Sequence, residues 1–382
     1  MANASTAILN KIEAKLQPPE RLLFGPGPTM VEPSVYEAMG KPVVSPMDPY
    51  FFEVADQVRE QLRGVFGTRN PATIMVPGTG SSGMETAVAN FVEPGSKFAV
   101  FASGYFADRL AEMGRRQGAA VARLEKPWGN VFSYDEAAEF LHREKPDVVA
   151  FVHAETSTGA LQDPRLIVKA AREVNALVIA DTVTSLGALP VEIDDVGIDV
   201  AYSCSQKGLS CPPGLAPVTA SPRAMERLKA RKTPLTAWYL DLRLMLDYFD
   251  GRKYHHTCSA SLYYALHEGL RLIAVEGLEN RWERHRSNHL SLVAGLEKLG
   301  LQMHVAAGHR IPNVNTPRVP AGMDDLKVRK YLVEKYRIDI AGGFGELVGK
   351  IFRIGLMGPL ATPENVQLLL HGLEDALHAH AQ

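Results

Sequence analysis

The sequence predicts an α/β fold, with a large domain on a mostly parallel sheet followed by a smaller C-terminal α+β domain. Three observations predict it. Short, near-continuous apolar runs alternate with longer helical patterns between about residues 73 and 207, as strands covered on both faces by helices do. Those runs feed Gly-, Ser- or Thr-containing turns, where crossover connections begin. Past about residue 275 the alternation gives way to a long charged helical stretch and short strands. A chain of 382 residues also exceeds the roughly 250–300 that one core fills. The expected division is an N-terminal arm over 1–20, a large domain over 21–275 and a small one over 276–382.

The elements follow in order. The opening Leu23-Phe24-Gly25-Pro26-Gly27-Pro28-Thr29 is too proline-rich for a helix or an interior strand, and predicts a rigid loop between the domains. Thr73 to Val76 reads as a strand, then a turn Gly78-Thr79-Gly80-Ser81-Ser82-Gly83, then a helix from Met84 to Phe91. Lys97 to Ala102 is a second strand, with a helix running through Gln117. Val148 to His153 is a third, followed by a Thr/Ser-rich turn and a helix over Leu166 to Val174. Leu177 to Ala180 ends at Asp181, and Val200 to Ser203 leads to Lys207. Leu242 to Leu246 reads as core or subunit interface. The last third predicts helices over Leu278–Leu299, Asp324–Glu334 and Thr362–His378, and strands near Leu301–Val305, Arg337–Ile340 and Lys350–Ile354.

Composition removes several function classes. A net charge of -2 offers no basic surplus for nucleic acid or an anionic membrane. No apolar run approaches the roughly 18–20 residues of a membrane span. Met1 to Pro19 is polar and mixed in charge, unlike a secretory signal. Cys204, Cys211 and Cys258 are too few for a disulfide framework and fit a reducing compartment. A cytoplasmic location is expected, and the ending His378-Ala379-His380-Ala381-Gln382 carries no Ser-Lys-Leu-type address.

In an open parallel sheet, ligands sit at the carboxyl ends of the strands. Three candidate features fall there. Gly78, Gly80 and Gly83 let backbone approach an anion, Thr79 and Ser81 add hydroxyls, and the following helix adds its positive end. The turn spells G-x-G-x-x-G, but the next strand ends Ala102-Ser103-Gly104 without the acid a dinucleotide site needs. A tight strand-to-helix turn remains the plain alternative. Asp181 ends a buried strand, where its carboxylate needs a partner: a helix cap, Thr182 or Thr184, or a protonated ring nitrogen. Lys207 follows an apolar strand among small residues; burial there lowers an amine's pKa and makes it a carbonyl nucleophile, although a structural lysine is also possible. Phosphate turn, strand-end Asp, then Lys is the order that pyridoxal 5′-phosphate asks of its protein: a Schiff-base lysine and an acid on the pyridinium nitrogen.

With these residues the chain resembles the class V aminotransferases of the alanine–glyoxylate and serine–glyoxylate type, from about Leu22 to the C-terminal helix. The segments that carry the resemblance are Gly25-Pro26-Gly27-Pro28, Gly78-Thr79-Gly80-Ser81, Glu155-Thr156-Ser157-Thr158-Gly159, Asp181 to Gly187, Ser205-Gln206-Lys207 with Pro212-Pro213-Gly214, Tyr254-His255-His256-Thr257, Glu276-Gly277-Leu278 and Arg353-Ile354-Gly355. The resemblance implies fold type I of the pyridoxal-phosphate enzymes and a homodimer with shared sites. It implies that Thr79, Gly80, Ser81 and Gln206 hold the phosphate, and that Phe106, where tryptophan is common, stacks on the ring. Thr156 would reach the ring hydroxyl, Asp181 the ring nitrogen and Val183 the other ring face. Lys207 would carry the cofactor and move protons. Tyr254 and Thr257 would reach the partner's phosphate, and Arg353, with Gly27 close by, would clamp the substrate carboxylate.

Two segments depart from the family pattern: Ser45-Pro46-Met47-Asp48-Pro49, where relatives carry Gly-His, and Thr257-Cys258, without the usual proline. The expected substrates are a small amino acid, alanine or serine, and a 2-oxo acid such as glyoxylate. Pyridoxamine–pyruvate and ureidoglycine–glyoxylate aminotransferases and a cysteine desulfurase-like lyase are the neighbouring alternatives. No metal is expected: adjacent His255 and His256 should point to opposite faces of an extended segment at the surface or in the dimer loop. His304, His309, His378 and His380 are expected in solvent.

Overall fold

A computed structural model describes residues 15–380. The N-terminal arm expected over 1–20 lies outside the described residues except for 15–20, and Ala381-Gln382 lies outside them too. Seven strands form the central sheet: β1 (Ala72–Gly78), β2 (Lys97–Ala102), β3 (Ala120–Glu125), β4 (Val148–Val152), β5 (Leu177–Asp181), β6 (Val200–Tyr202) and β7 (Gly214–Ala220). Their order is β1-β7-β6-β5-β4-β2-β3. Strands β3, β2, β4, β5 and β6 pair in parallel, and β7 runs antiparallel to both its neighbours. Every residue of β4 and β5 is buried, which is why these strands read as unbroken apolar runs. The register aligns Val152, Asp181 and Tyr202 across the carboxyl ends of β4, β5 and β6.

Strand β7 was not among the expected elements. Its Pro217 cannot donate to a ladder, and proline inside a run argues against an interior strand. Here Pro217 O accepts from Ser203 N at 2.8 Å just past the end of β6. In an antiparallel pair one residue's N and O point the same way, so the missing N–H falls where β6 pairing has stopped.

The large core packs helices against this sheet around Phe51, Phe66, Phe98, Phe140 and Phe151. Leu242, Met245, Tyr248 and Phe249, on the helix Leu242–Gly251, belong to it. A second cluster gathers Phe24, Leu292, Leu332, Ile338, Phe352 and Leu369. It is built on the helices Leu278–Lys298, Asp325–Tyr336 and Pro363–His380 and on an antiparallel sheet of Val314–Asn315, Phe352–Gly355 and Ala341–Gly342. Leu22–Leu23 pairs in parallel with Ile338–Asp339. The proline-rich segment then runs from this cluster, where Phe24 O accepts from Gly355 N, to the Lys207 loop, where Thr29 N donates to Gln206 O.

The strand expected at Leu301–Val305 does not form. Met303 makes one isolated bridge to Pro317. The chain then turns, and His304 Nε2 donates to Trp128 O at 3.0 Å. Among the described residues no helix is long and apolar enough to cross a membrane.

Candidate active site

A cavity of about 230 Å3 opens at the carboxyl ends of the strands. Ten residues singled out from the sequence line it together: Gly27, Thr79, Gly80, Ser81, Phe106, Thr156, Asp181, Val183, Gln206 and Lys207. They come from six separate segments, and the sheet register is what gathers them.

One end is built for an anion. Gly78 has φ 118° and closes the turn after β1. The helix Gly80–Phe91 follows, with Thr79 in its N-cap position making no capping bond, so the hydroxyl stays free. A Cβ on Gly80 would lie 2.7 Å from Val183 Cγ2. One on Gly83 would press on Tyr202 and Ala216 at 3.1 and 3.2 Å, so that glycine seats the helix on the sheet. Backbone N–H groups and the helix dipole thus face the cavity.

The other end carries the titratable groups. Asp181 is 3 % exposed; Oδ1 accepts from Val183 N and Oδ2 from Tyr202 Oη, each at 2.9 Å. Burial pushes its carboxyl up to about 6, against the pull of those bonds and of Lys207. Burial pushes the Lys207 amine down to about 8, and the Arg353 charge acts in the same direction. Lys207 Nζ donates to Pro26 O.

This set fits pyridoxal 5′-phosphate. A buried primary amine with a lowered pKa suits a carbonyl, and a carboxylate beside it suits a pyridinium nitrogen. Gln206 Oε1 is buried without any hydrogen-bond partner, so the cavity is one polar group short.

Three expected residues stand outside the lining. Arg353, 4 % exposed on Phe352–Gly355, donates from Nε to Gly342 O at 2.7 Å, with its Cζ 3.7 Å from the Phe344 ring centroid. Tyr254 Oη and Thr257 Oγ1, both exposed, meet at 3.0 Å and do not line this cavity.

The histidine expectations need correction. His255 and His256 are buried, at 7 % exposure each, and their Nδ1 atoms approach to 2.8 Å. The chain bends at His256, and the two rings meet edge to face with His255 stacked on Trp238. His304 is half-buried against Trp128, not in solvent. All three cysteines are buried, and burial pushes the Cys204 and Cys211 thiols up to about 12 and Cys258 to about 11, the opposite of a reactive thiolate.

Two residues of the site were missed, one lining the cavity and one behind Asp181. Arg109 lines the cavity, donates from Nη1 to Ser81 Oγ at 2.7 Å and lies over the Phe106 ring, 5.0 Å from its centroid. Its position three residues past Phe106 on one helix was the available signal. Tyr202 carried none, because its bond to Asp181 depends on the pairing of β5 with β6.

The fold and site have known counterparts. The crystal structure of an alanine–glyoxylate aminotransferase from Nostoc sp. is 46% identical with a TM-score of 0.94, covering 96% of this chain and 98% of that one. Ureidoglycine–glyoxylate aminotransferase from Bacillus subtilis is 39% identical with a TM-score of 0.94, covering 97% and 96%. Alanine–glyoxylate aminotransferase of Felis catus is 39% identical over 96% of this chain and 90% of its own length. The family model described as aminotransferase class-V matches residues 22–369, and with these relatives it places the chain among the class-V aminotransferases, as a pyridoxal-phosphate-dependent transaminase.

Proposed function

We propose that this transaminase moves an amino group from alanine or serine to a small 2-oxo acid such as glyoxylate, as a cytoplasmic homodimer with shared active sites. The observation that carries this reading is Arg353. Its guanidinium is buried with no ion-pair partner among the described residues, and only Nε is taken, by a carbonyl. A planar fork left open in this way matches a substrate carboxylate bidentately.

Bound pyridoxal 5′-phosphate supplies an electron sink for negative charge at the substrate's α-carbon. The chain's own groups do the rest. Thr79, Gly80, Ser81 and Gln206 bind the phosphate. Phe106 and Val183 hold the two ring faces, and Thr156 meets the ring hydroxyl. Asp181 keeps a proton on the ring nitrogen. Lys207 Nζ would hold the cofactor and, once released, would move the substrate's α-proton, acting first as base and then as acid. Gly27 and Arg353 orient the carboxylate. Tyr254 and Thr257 serve the partner's phosphate. The large domain, over 21–275, holds the cofactor; the small one, over 276–382, brings Arg353.

A ureidoglycine donor has similarly close relatives in its favour. Its ureido group needs several hydrogen-bond partners, and Gln206 is the one amide in the lining. The test is the visible spectrum of the cofactor-loaded protein, with L-alanine, L-serine and ureidoglycine added singly. Bleaching by alanine or serine supports the proposal. Bleaching by ureidoglycine alone transfers it to that donor, and a protein that binds no cofactor sinks both.

A further inference from the structure

Glu155 has no part in the chemistry above, yet it is 3 % exposed and sits between the cavity-lining residues Ala154 and Thr156. Its Oε1 accepts from Ser157 N at 3.1 Å and from Ser157 Oγ at 2.6 Å. Its Oε2 accepts from Phe106 N at 3.2 Å. Ser157 Oγ in turn accepts from Tyr105 N at 3.0 Å. The first two amides of the helix Tyr105–Arg116 therefore close on the Glu155–Ser157 pair.

That helix has no cap of its own. Gly104 holds the N-cap position and has no side chain to offer. A Cβ there would lie 2.3 Å from Glu155 Cγ and 2.5 Å from Cδ, so the glycine leaves room for the carboxylate. The first amides of a helix need acceptors, and a carboxylate suits them best. A cap normally comes from the preceding loop and fixes only the helix end. Here it comes from the turn after β4, so it also fixes the helix against the sheet end that carries Asp181. Phe106 is the second residue of this helix and forms a wall of the cavity.

We infer that Glu155 is a positioning residue: it caps the helix Tyr105–Arg116 from across the site and so sets the Phe106 ring against the cofactor. The inference rests on the cavity being the pyridoxal-phosphate site. Glu155→Gln keeps size but puts an amide N–H against a donor, either Phe106 N–H or the Ser157 hydroxyl. The experiment is a double-mutant cycle read as the dissociation constant of pyridoxal 5′-phosphate from the full-length apo-protein, for wild type, Glu155→Gln, Phe106→Ala and the pair. Each single change is expected to weaken binding about tenfold, and the pair far less than the roughly hundredfold product, because neighbours acting through one another are not additive. A loss merely due to looser folding would multiply.

Multiplying effects, or a Glu155→Gln protein that binds as wild type, would overturn the assignment. If wild type itself binds no cofactor, the site reading falls with it. Should Glu155→Gln fail to fold, Ser157→Ala, which removes the hydroxyl's bonds to Tyr105 N and Glu155 Oε1 but keeps Glu155 on Phe106 N, gives the same cycle with the same two outcomes.

Discussion

Gly27 and Lys207 share one small volume: a Cβ on Gly27 would lie 2.4 Å from Lys207 Cδ and 2.6 Å from Nζ. Gly27 also has φ 115°, which an L side chain rarely adopts. The proline-rich loop thus presses bare backbone on the lysine stem, and Pro26 O receives the amine. Gly27→Ala is expected to displace the amine and cut kcat/KM by about 100-fold, or about 2.7 kcal/mol of transition-state stabilisation. Steady-state kinetics and the visible band of the bound cofactor check this together. Wild-type values for both would remove the steric role assigned to Gly27.

Asp181 receives Tyr202 Oη and Val183 N at 2.9 Å each, so both carboxylate oxygens are held in place. Asp181→Asn should slow α-proton removal by at least about a thousandfold while leaving cofactor binding within about tenfold, because the lost charge matters where negative charge develops. Tyr202→Phe removes one neutral donor, worth about 1 kcal/mol, and should slow the same step about fivefold. Loss of α-deuterium from labelled L-alanine measures that step directly. Equal losses in both variants would mean that Tyr202, not the charge, matters.

Local sequence patterns singled out candidate site residues more readily than the contacts that surround them. Asp181 stood out because it ends an apolar run and Lys207 because it follows one among small residues, features written in consecutive residues. Arg109 did not, since its role depends on a helix pointing at Ser81 across two segments. Tyr202 and Glu155 depend on strand register and on a turn folding back over a helix start, which no local pattern encodes. Strand β7 was hidden by Pro217, whose missing N–H is harmless only because β6 is short. The two histidines misled for a related reason: extended backbone would send neighbours to opposite sides, but the chain bends at His256 and the rings meet.

Burial sets the pH at which the apo-protein takes up cofactor. Only the neutral amine attacks a carbonyl, and Lys207 is pushed down to about 8. Below that pH the neutral fraction falls about tenfold per unit; above it the fraction saturates. Asp181, pushed up to about 6, is protonated on the acid side and loses its charge for the ring nitrogen. Both effects carry the same sign. Uptake should therefore rise steeply from pH 6 to about 8 and level off there, with a further fall below about 6. Stopped-flow absorbance on mixing with pyridoxal 5′-phosphate records the profile. A midpoint near 10.5, the ordinary lysine value, would mean the amine is not desolvated as its surroundings imply.

The last prediction concerns what lies outside the cavity. Tyr254 and Thr257 bond to each other on an exposed segment, and neither lines the cavity of its own chain. Just behind them His255, His256 and Cys258 are buried, with His256 Nε2 and Cys258 Sγ 3.1 Å apart, so the exposed pair stands on a packed base. A shared site turns this into a mixing experiment. Lys207→Ala inactivates the site of its own chain, whereas Tyr254→Ala with Thr257→Ala damages the partner's. In a hybrid dimer one site then collects every change and the other has none. Random pairing of equal amounts makes about half the dimers hybrids, so after co-refolding two nearly inactive proteins about a quarter of wild-type activity should return. If each chain completed its own site, every site in the mixture would carry one defect or the other, and no activity would return. Recovery near a quarter is thus the signature of exchange across a two-fold axis, and its absence would confine Tyr254 and Thr257 to a role within their own chain.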